Sequence, residues 1–320
     1  MAETGQDIER AAQLLRDEEV VAIPTETVYG LAGRIRSEKA IRQIFQVKNR
    51  PLTDPLIVHV AGIEEIYPLV SDFPVLAKKL LEAFSPGPIT ILFPKSDQVS
   101  NLITNGSPFV AIRIPNHPLT LALLKVLGEP LAAPSANPFG GISPTKAEHV
   151  ESGLGQKIPY ILDGGPCEVG LESTIVQITG KDKIRILRKG GISEEELALF
   201  SELMLEENTL ETVVPGSMIS HYAPQKPVYF LSDQSLPGFD LLQTGVLCFQ
   251  KYAEGYRKEN QIVLSPDGNL VEAAKNLFDA LHQLDQMDIK TILVDSFPDT
   301  GLGKAINDRL ERASKKKENG

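Results

Sequence analysis

The sequence predicts two α/β domains, a larger one followed by a smaller one. Short apolar strands alternate with segments of helical apolar spacing throughout residues 1–200, which is typical of an α/β sheet. A proline-rich stretch without periodicity follows at 214–227, and the alternation then resumes. The length of 320 residues also agrees with about two domains. We therefore expect a first domain at 1–210, a linker at 211–227 and a second domain at 228–320.

The individual elements are predicted in chain order from the spacing of the apolar residues, and Ser37 is the expected N-cap of the second helix. In the first domain we expect helices at 8–15, 37–47, 73–84, 117–127 and 194–210, and strands at 21–23, 56–60, within 85–93, at 109–114, from 130, and at 160–163, 174–178 and 183–187. In the second domain we expect strands at 228–231, 246–249 and 292–294, and helices at 270–284 and 302–313.

Charge and cysteine content limit the possible functions. The net charge is −10, and acidic residues outnumber basic ones in both 1–200 and 201–320, which argues against strong nonspecific binding of nucleic acid. A local pocket for small anions remains compatible with this balance. Cys167 and Cys248 form no CxxC pair, so we expect no structural zinc site and a reducing cytoplasm. We see neither a signal segment nor an apolar run of roughly 20 residues, and expect no membrane span.

The stretch VAIPTETVYGLAG at 21–33 has the pattern of a pocket floor. Pro24 ends an apolar strand, and a bend that carries the polar side chains of Glu26 and Thr27 follows. Two glycines allow a tight turn and a close approach of the backbone. Such a bend at a strand end commonly forms one side of a ligand pocket, although a plain strand-to-helix turn has the same pattern.

Five cations lie in predicted loops or at strand ends: Lys48, Arg50, Arg113, Arg188 and Lys189. In an acidic protein, such a group suggests a pocket for phosphate or carboxylate. Lys48 and Arg50 are one residue apart in a segment that we expect to be an extended, exposed loop, so their side chains would point the same way. Each cation could instead be an ordinary solvated surface residue.

Two loops rich in small residues add further polar groups. The loop at 134–145 carries Ser135, Asn137 and Ser143, which can present donors to phosphate oxygens, although a plain surface loop also fits this composition. A second such loop ends near Ser173.

His59 is the histidine of a predicted apolar strand, where a buried histidine with satisfied hydrogen bonds is the usual outcome. The nucleotide-binding and hydrolase motifs GxxxxGK[ST], GxGxxG, HExxH and GxSxG do not occur in the sequence. Another kind of site therefore has to account for the polar loops.

Seven motifs occur in one order: PTETVYGLAG, KNRP with PLIVHV, SPGPITILF, VAIRIPNHP, APSANPFGGISPT, ILDGG with GLESTIV, and ILRKGGI. Together they resemble the catalytic domain of YrdC-type threonylcarbamoyl-AMP synthases over about residues 8–195. The segment SMISHYAP and the terminal α/β region resemble the longer, two-domain form of that family.

This resemblance implies a twisted open-sheet catalytic domain and a small Rossmann-like C-terminal domain. It implies an enzyme, a nucleotidyltransferase that condenses L-threonine, bicarbonate or CO2, and ATP to threonylcarbamoyl-AMP and pyrophosphate, with Mg2+ on the phosphates. Partner proteins of the family then transfer the threonylcarbamoyl group to an adenosine of tRNA.

The resemblance also assigns site residues, motif by motif. ATP and the adenylate would be held by Lys48, Arg50, Ser135, Asn137, Ser143, Arg188 and Tyr222, with Lys48 and Arg50 as the catalytic cations. Threonine would be held by Thr27, His59, Arg113 and Ser173, with Arg113 at its carboxylate. Glu26 and Glu172 could bind Mg2+ or orient their neighbours. Tyr222, beside His221, would close over the nucleotide, or would merely pack the linker against a domain.

Two other functions stay open on the sequence alone. Carbamoyl transfer in hydrogenase maturation uses a related domain, but those proteins also carry cysteine zinc fingers, which two lone cysteines do not supply. An RNA-binding module would need a more basic surface than this acidic chain suggests. Whether the chain contacts tRNA directly is not decided by its sequence.

Overall fold

The protein, described here by a computed structural model, folds into two sheets flanked by helices, which confirms the predicted α/β class. The structure describes residues 1–180, 183–204, 222–233 and 240–315. His221 and most of the expected linker lie outside these residues, so the predicted domain boundaries stay a prediction.

The first sheet has eleven strands and is mixed, with both parallel and antiparallel neighbours. Its strands are β1 (Glu3–Gly5), β2 (Val21–Ile23), β3 (Gly30–Arg34), β4 (Ile57–His59), β5 (Ile89–Pro94), β6 (Phe109–Arg113), β7 (Leu131–Ala132), β8 (Tyr160–Leu162), β9 (Thr174–Thr179), β10 (Lys183–Arg188) and β11 (Leu203–Met204). Their order across the sheet is β1-β8-β2-β3-β7-β4-β6-β5-β9-β10-β11.

Helices cover this sheet and bury one apolar face each. They are α1 (Ile8–Arg16), α2 (Glu38–Lys48), α3 (Val75–Phe84), α4 (Asn101–Thr104), α5 (Pro118–Leu127), α6 (Ala147–Leu154) and α7 (Glu194–Ala198). Ser37 is the N-cap of α2, as predicted, and its side chain accepts a hydrogen bond from the Ala40 N–H at 3.1 Å.

The second sheet has four strands that are all parallel, in the order β12-β15-β13-β14. They are β12 (Val228–Phe230), β13 (Thr244–Cys248), β14 (Gln261–Val263) and β15 (Thr291–Val294), with helices α8 (Leu270–Gln286) and α9 (Gly303–Ser314). Parallel strands need crossover connections, and these connections are usually helices, which agrees with the presence of α8 and α9.

The helix predicted at 194–210 is wrong from residue 199 onward among the described residues. A capping box formed by Ser193 and Glu196 starts α7, but the helix ends at Ala198. Leu203 then pairs in parallel with Ile184 of β10. Pairing at a sheet edge overrides a helical pattern there, and residues 205–210 lie outside the described part.

Several short elements were not predicted: β1, β3, β14, α4 and α6. In β3 the sequence GLAGR has two glycines and no alternation, so nothing local favours a strand. It forms because β2 and β7 both pair with it.

The two sheet regions pack directly against each other. Val28, Ile142 and Leu171 of the first belong to one buried apolar cluster with residues of α8, among them Leu277, Phe278 and Leu281. Gly170 has a φ of +74°, and a Cβ there would lie 2.5 Å from the Cα of Lys275. A side chain at this position would therefore force α8 away from the first domain.

Two stacked histidines form a polar part of this interface. The rings of His149 on α6 and His282 on α8 are 3.9 Å apart, and His282 Nε2 donates to the Ser143 carbonyl at 3.2 Å. His149 Nδ1 accepts from the Thr145 N–H at 3.2 Å, while Nε2 lies 3.3 Å from Asp279. Burial and the neighbouring imidazole lower the pKa of His149 to about 4, and burial lowers the pKa of His282.

Within the described residues we find no helix with both the length and the apolarity that a membrane crossing demands.

Acid is expected to weaken the folded state through His149 and His282. The pKa of His149 is about 6.5 in the unfolded chain and about 4 in the folded one, so the unfolded state takes up the proton first as the pH falls. We expect the free energy of unfolding to drop by about 2 kcal/mol through His149 alone between pH 7 and pH 5. Urea unfolding at both pH values measures this drop.

The matched variant is H149N/H282N, which keeps polar side chains but removes both imidazoles. Its free energy of unfolding should fall less over the same pH interval. An equal fall in wild type and variant would show that groups outside the His149–His282 pair govern the acid sensitivity.

Candidate active site

A cavity opens at one end of the first sheet, where several strands and loops of distant sequence meet. It is lined by Thr25, Val28, Gly30, Arg50, Ile57, His59, Arg113, Ala133, Pro134, Ser135, Glu172, Arg188 and Tyr222. Its free volume is about 50 Å³, which is far below the roughly 300–1,000 Å³ of typical ligand pockets.

Adjacent strands place His59 and Arg113 side by side. The two residues are register partners in the parallel pair β4–β6, at the ends of both strands. Since neighbouring strands lie about 4.8 Å apart, the two side chains must share the same wall of the cavity.

Arg113 is buried and paired. A terminal guanidinium nitrogen lies 2.7 Å from Glu26 Oε1, and Nε donates to the Gly87 carbonyl at 3.3 Å. Glu26 also accepts a hydrogen bond from the Asn116 N–H at 2.9 Å. The bend after β2 thus supplies the carboxylate that neutralises Arg113.

Arg50 lies in the cavity wall and is 7% exposed, so the expectation of an exposed loop residue is wrong. It forms an ion pair with Asp54 at 2.9 Å and donates to the Pro55 carbonyl at 2.8 Å. Burial lowers the pKa of Arg50 and raises the pKa of Asp54. The KNRPLTDP segment therefore folds so that two of its own residues, Asp54 and Pro55, contact Arg50.

Lys48 is buried as well and does not line the cavity. As the last residue of α2 it precedes Asn49, which has a left-handed φ of +53° and turns the chain. The segment is therefore not extended, and Lys48 and Arg50 do not point the same way by alternation. Lys48 Nζ donates to the carbonyls of Ser135 and Asn137 at 2.5 Å each, and burial lowers its pKa well below the ordinary value.

Arg188, at the end of β10, is held by the loop before β9. Its Nε donates to the Ser173 carbonyl at 3.1 Å, and a terminal nitrogen donates to the Ser173 hydroxyl at 3.0 Å. Burial lowers the pKa of Arg188 to about 10, so the guanidinium remains charged at neutral pH.

His59 is buried beside this positive charge. Burial and the charge of Arg113 lower the pKa of His59 to about 3, so the imidazole is neutral at pH 7. Nδ1 lies 3.2 Å from the Ile57 carbonyl. Because a carbonyl only accepts, that hydrogen bond requires the proton on Nδ1 and leaves a lone pair on Nε2.

Glu172 is the acidic residue among the described residues that line the cavity. It accepts hydrogen bonds from the Ser143 hydroxyl at 2.6 Å and from Arg309 Nε of α9 at 2.8 Å. Burial raises the pKa of Glu172, but Arg309 and Arg188 outweigh it, and the net result is a pKa below the ordinary value. The carboxylate is therefore charged at neutral pH.

Tyr222 is buried between the two sheet regions. Its ring stacks on Phe278 with centroids 5.6 Å apart, and the Arg309 guanidinium lies 4.9 Å from its centroid. The Ala223 N–H donates to the Gly140 carbonyl at 2.9 Å. Tyr222 thus both lines the cavity and packs against the second domain, and its closure over a nucleotide stays a prediction.

The acidic residues do not fit a Mg2+ site built by the protein. Glu26 and Glu172 are each paired with an arginine, and no cluster of three or more His, Cys, Asp or Glu side chains suited to a metal occurs in the described ranges. Their role as metal ligands is therefore not supported by this arrangement.

The structure brings six predicted site residues to the cavity and places five just behind it. The lining residues are Arg50, His59, Arg113, Ser135, Arg188 and Tyr222, and those behind are Thr27, Lys48, Asn137, Ser143 and Ser173. Thr27, for example, shares a 2.8 Å hydrogen bond with Thr25, and Thr25 is the threonine that lines the cavity. The ligand assigned to each residue stays a prediction.

The sequence reasoning missed Arg309. One feature of the sequence could have identified Arg309, because a charged residue interrupts the apolar stripe of α9. That stripe consists of Ala305, Ile306, Leu310 and Ala313. A charge on the buried face of a helix indicates a specific partner elsewhere.

Comparisons with known proteins agree over the whole described chain. The family model for Sua5, YciO and YrdC, described as "Telomere recombination", matches residues 13–190, and the one described as "Threonylcarbamoyl-AMP synthase, C-terminal domain" matches 191–315. Threonylcarbamoyl-AMP synthase of Bacillus subtilis is 39% identical over 96% of this chain and 92% of its own length, and that of Pyrococcus abyssi is 35% identical over 95% and 93%. The crystal structure of P. abyssi Sua5 complexed with L-threonine has a TM-score of 0.86 at 31% identity and covers 98% of this chain and 97% of that one.

Replacing Lys48 is expected to destabilise the protein, because the carbonyls of Ser135 and Asn137 would lose a buried hydrogen-bond donor. We expect Lys48→Met to lower the free energy of unfolding by about 1–3 kcal/mol, measured by urea unfolding. Lys39→Met on the exposed face of the same helix is the control and should change it by less than about 0.5 kcal/mol. Equal stability of the two variants would mean that Lys48 does not anchor the 134–145 loop.

Proposed function

The chain belongs to the family of threonylcarbamoyl-AMP synthases, and we propose that it joins L-threonine, bicarbonate or CO2, and ATP into threonylcarbamoyl-AMP with release of pyrophosphate. The product would serve the formation of N6-threonylcarbamoyladenosine in tRNA. The observation that carries the proposal is the convergence of three buried arginines, Arg50, Arg113 and Arg188, on one cavity whose carboxylate, Glu172, is already paired. Such a site suits a ligand that combines phosphates with a carboxylate.

We assign the threonine end to Arg113 and His59. The planar guanidinium can hold a carboxylate through two parallel hydrogen bonds, and threonine would take over the contact that Glu26 now makes. The free lone pair of His59 Nε2 can accept a hydrogen bond from the amine or the hydroxyl of threonine. Because the pKa of His59 is about 3, it orients the substrate as a neutral acceptor and is not a strong base.

The phosphate end is assigned to Arg50, Arg188 and Ser135. The two guanidiniums lie in a dry wall, where fixed cations stabilise negative charge far better than they would in water. Lys48 contributes by fixing the carbonyls of Ser135 and Asn137, and therefore the shape of the loop. Asn137, Ser143 and Ser173 support this wall from behind.

The reaction can proceed without a protein nucleophile. The threonine amine adds to CO2 and loses a proton, which gives a carbamate. A carbamate oxygen attacks the α-phosphorus of ATP, and the bond from that phosphorus to the bridging oxygen of pyrophosphate breaks. The site has to align the two substrates and stabilise the charge on the phosphate oxygens and on the leaving pyrophosphate.

Mg2+, the cofactor expected from the family, would enter with ATP. We propose that it is held by the phosphates, since Glu26 and Glu172 are occupied by arginines. We also propose a cytoplasmic location, where ATP, bicarbonate and tRNA are present together, and downstream transferase proteins as the partners that use the product. Direct binding of tRNA remains outside this proposal.

Of the alternatives, hydrogenase-maturation chemistry is disfavoured because the second domain matches a domain described as belonging to threonylcarbamoyl-AMP synthases. An RNA-binding module is disfavoured because the cations found in the cavity wall are buried and paired, so they offer no exposed basic surface.

Pyrophosphate release should depend on threonine and bicarbonate together, because the carbamate that attacks ATP needs both. The measurement combines a pyrophosphate assay with mass spectrometry for threonylcarbamoyl-AMP, and serine and valine serve as substrate controls. Release that is equally fast when threonine is left out would refute the proposal.

Arg113→Lys should weaken threonine more than ATP, because lysine supplies a point charge where arginine supplies two parallel donors. We expect the KM for threonine to rise about 10-fold or more, with a much smaller change for ATP. Arg34→Lys, which alters the Arg34–Glu129 pair outside the cavity, is the control. An unchanged KM for threonine in Arg113→Lys would place the carboxylate elsewhere.

A further inference from the structure

One side chain of the second domain reaches the wall of the cavity. Arg309 lies on the buried face of α9 and is 1% exposed. An apolar residue would continue the stripe of Ile306 and Leu310 and would avoid the cost of removing a guanidinium from water. Packing of the helix alone therefore does not call for a charge at this position.

The contacts of Arg309 join separate segments of the chain. Nε donates to Glu172 Oε2 at 2.8 Å, one terminal nitrogen donates to the Lys189 carbonyl at 2.7 Å, and the other donates to Asp308 Oδ2 at 2.5 Å. The guanidinium also lies over the ring of Tyr222. One residue of the second domain thus touches two residues that line the cavity, Glu172 and Tyr222.

Glu172 is the contact through which Arg309 can act on the site. Its other carboxylate oxygen accepts from Ser143, so the carboxylate is held from both sides. The charged and titratable groups that face it are Arg309 of α9, Arg188 of β10 and the phenol of Tyr222. Removing Arg309 would take away the cation that holds one oxygen of this buried carboxylate in place.

Tyr222 supports the same inference. Its φ of +64° is unusual for an aromatic residue and persists only where the surroundings hold it. The Tyr222 ring is in contact with Phe278 and Arg309 of the second domain, and these contacts stabilise this conformation.

We propose that Arg309 is a positioning residue of the synthase, which holds the Glu172 carboxylate in place in the cavity wall that receives ATP. The inference rests on the function proposed above. It makes the second domain a part of the active site, since Arg309 supplies the ion-pair partner of a carboxylate that lines the cavity.

A double-mutant cycle tests this role. We expect Arg309→Met to lower kcat/KM for ATP about 10- to 100-fold, the range typical of residues that orient active-site groups from behind. In the Glu172→Gln background the same replacement should cost less than about 3-fold, because the carboxylate to be positioned is gone. Arg309→Lys, which keeps the charge but loses the planar, forked arrangement of donors, should fall between wild type and Arg309→Met.

Lys304→Met is the matched control. Lys304 lies on the same helix and pairs across the domains with Glu194 at 2.6 Å, outside the cavity. We expect its kcat/KM for ATP to stay within about 2-fold of wild type. If Arg309→Met does not fold, Arg309→Lys and Arg309→Lys/Glu172→Gln provide the same comparison.

The outcomes separate the two proposals. A wild-type chain that forms no threonylcarbamoyl-AMP refutes the proposed function. A wild type that forms it, together with Arg309→Met at the wild-type rate, refutes only the role of Arg309. Equal losses from Arg309→Met in both backgrounds, or an equal loss in Lys304→Met, would show that Arg309 acts by docking the domains and not through Glu172.

Discussion

Burial of positive charge around one cavity is the constraint on which this structure depends. Lys48, Arg50, Arg113 and Arg188 all lie out of water, where a cation is costly unless it is paired or hydrogen-bonded. The hydrogen-bond or ion-pair partners of these four residues lie in different segments, and these contacts hold the loops at the end of the sheet in place. The pKa values of Lys48, Arg50 and Arg188 are lowered by burial, which shows the cost that these partners only partly offset.

The same constraint explains how the cavity can receive anions. Arg113 has a carboxylate partner in Glu26, and Arg188 donates to the carbonyl and the hydroxyl of Ser173. A ligand that brings negative charge into this wall would meet guanidiniums that are already removed from water. The fixed donors also need little rearrangement as charge develops on a phosphate, which is the usual basis of electrostatic catalysis.

The second domain is bound to the first by more than apolar packing. The stacked pair His149–His282 and the ion pair Glu172–Arg309 are polar contacts within a buried interface, so both are sensitive to displacement of α8 and α9. Glu172 lines the cavity and accepts a hydrogen bond from the Ser143 hydroxyl. The Ser143 carbonyl in turn accepts a hydrogen bond from His282. A displacement of the second domain would therefore be transmitted to the cavity through Glu172 and Ser143 of the first domain.

The sequence by itself determined the α/β class, most long helices and strands, and the family, because these depend on local periodicity and on motifs that are contiguous in the chain. It also singled out the segments that meet at the cavity, among them the bend with Glu26 and the loop with Ser135. Only the tertiary structure decided which side chains face the cavity, since burial and pairing depend on residues far apart in sequence. Lys48 turns towards two loop carbonyls because Asn49 ends α2 in a left-handed conformation, and Arg309 reaches Glu172 because two domains pack together. The charge of Arg309 interrupts an apolar stripe, but neither contact partner can be identified from the periodicity of the chain.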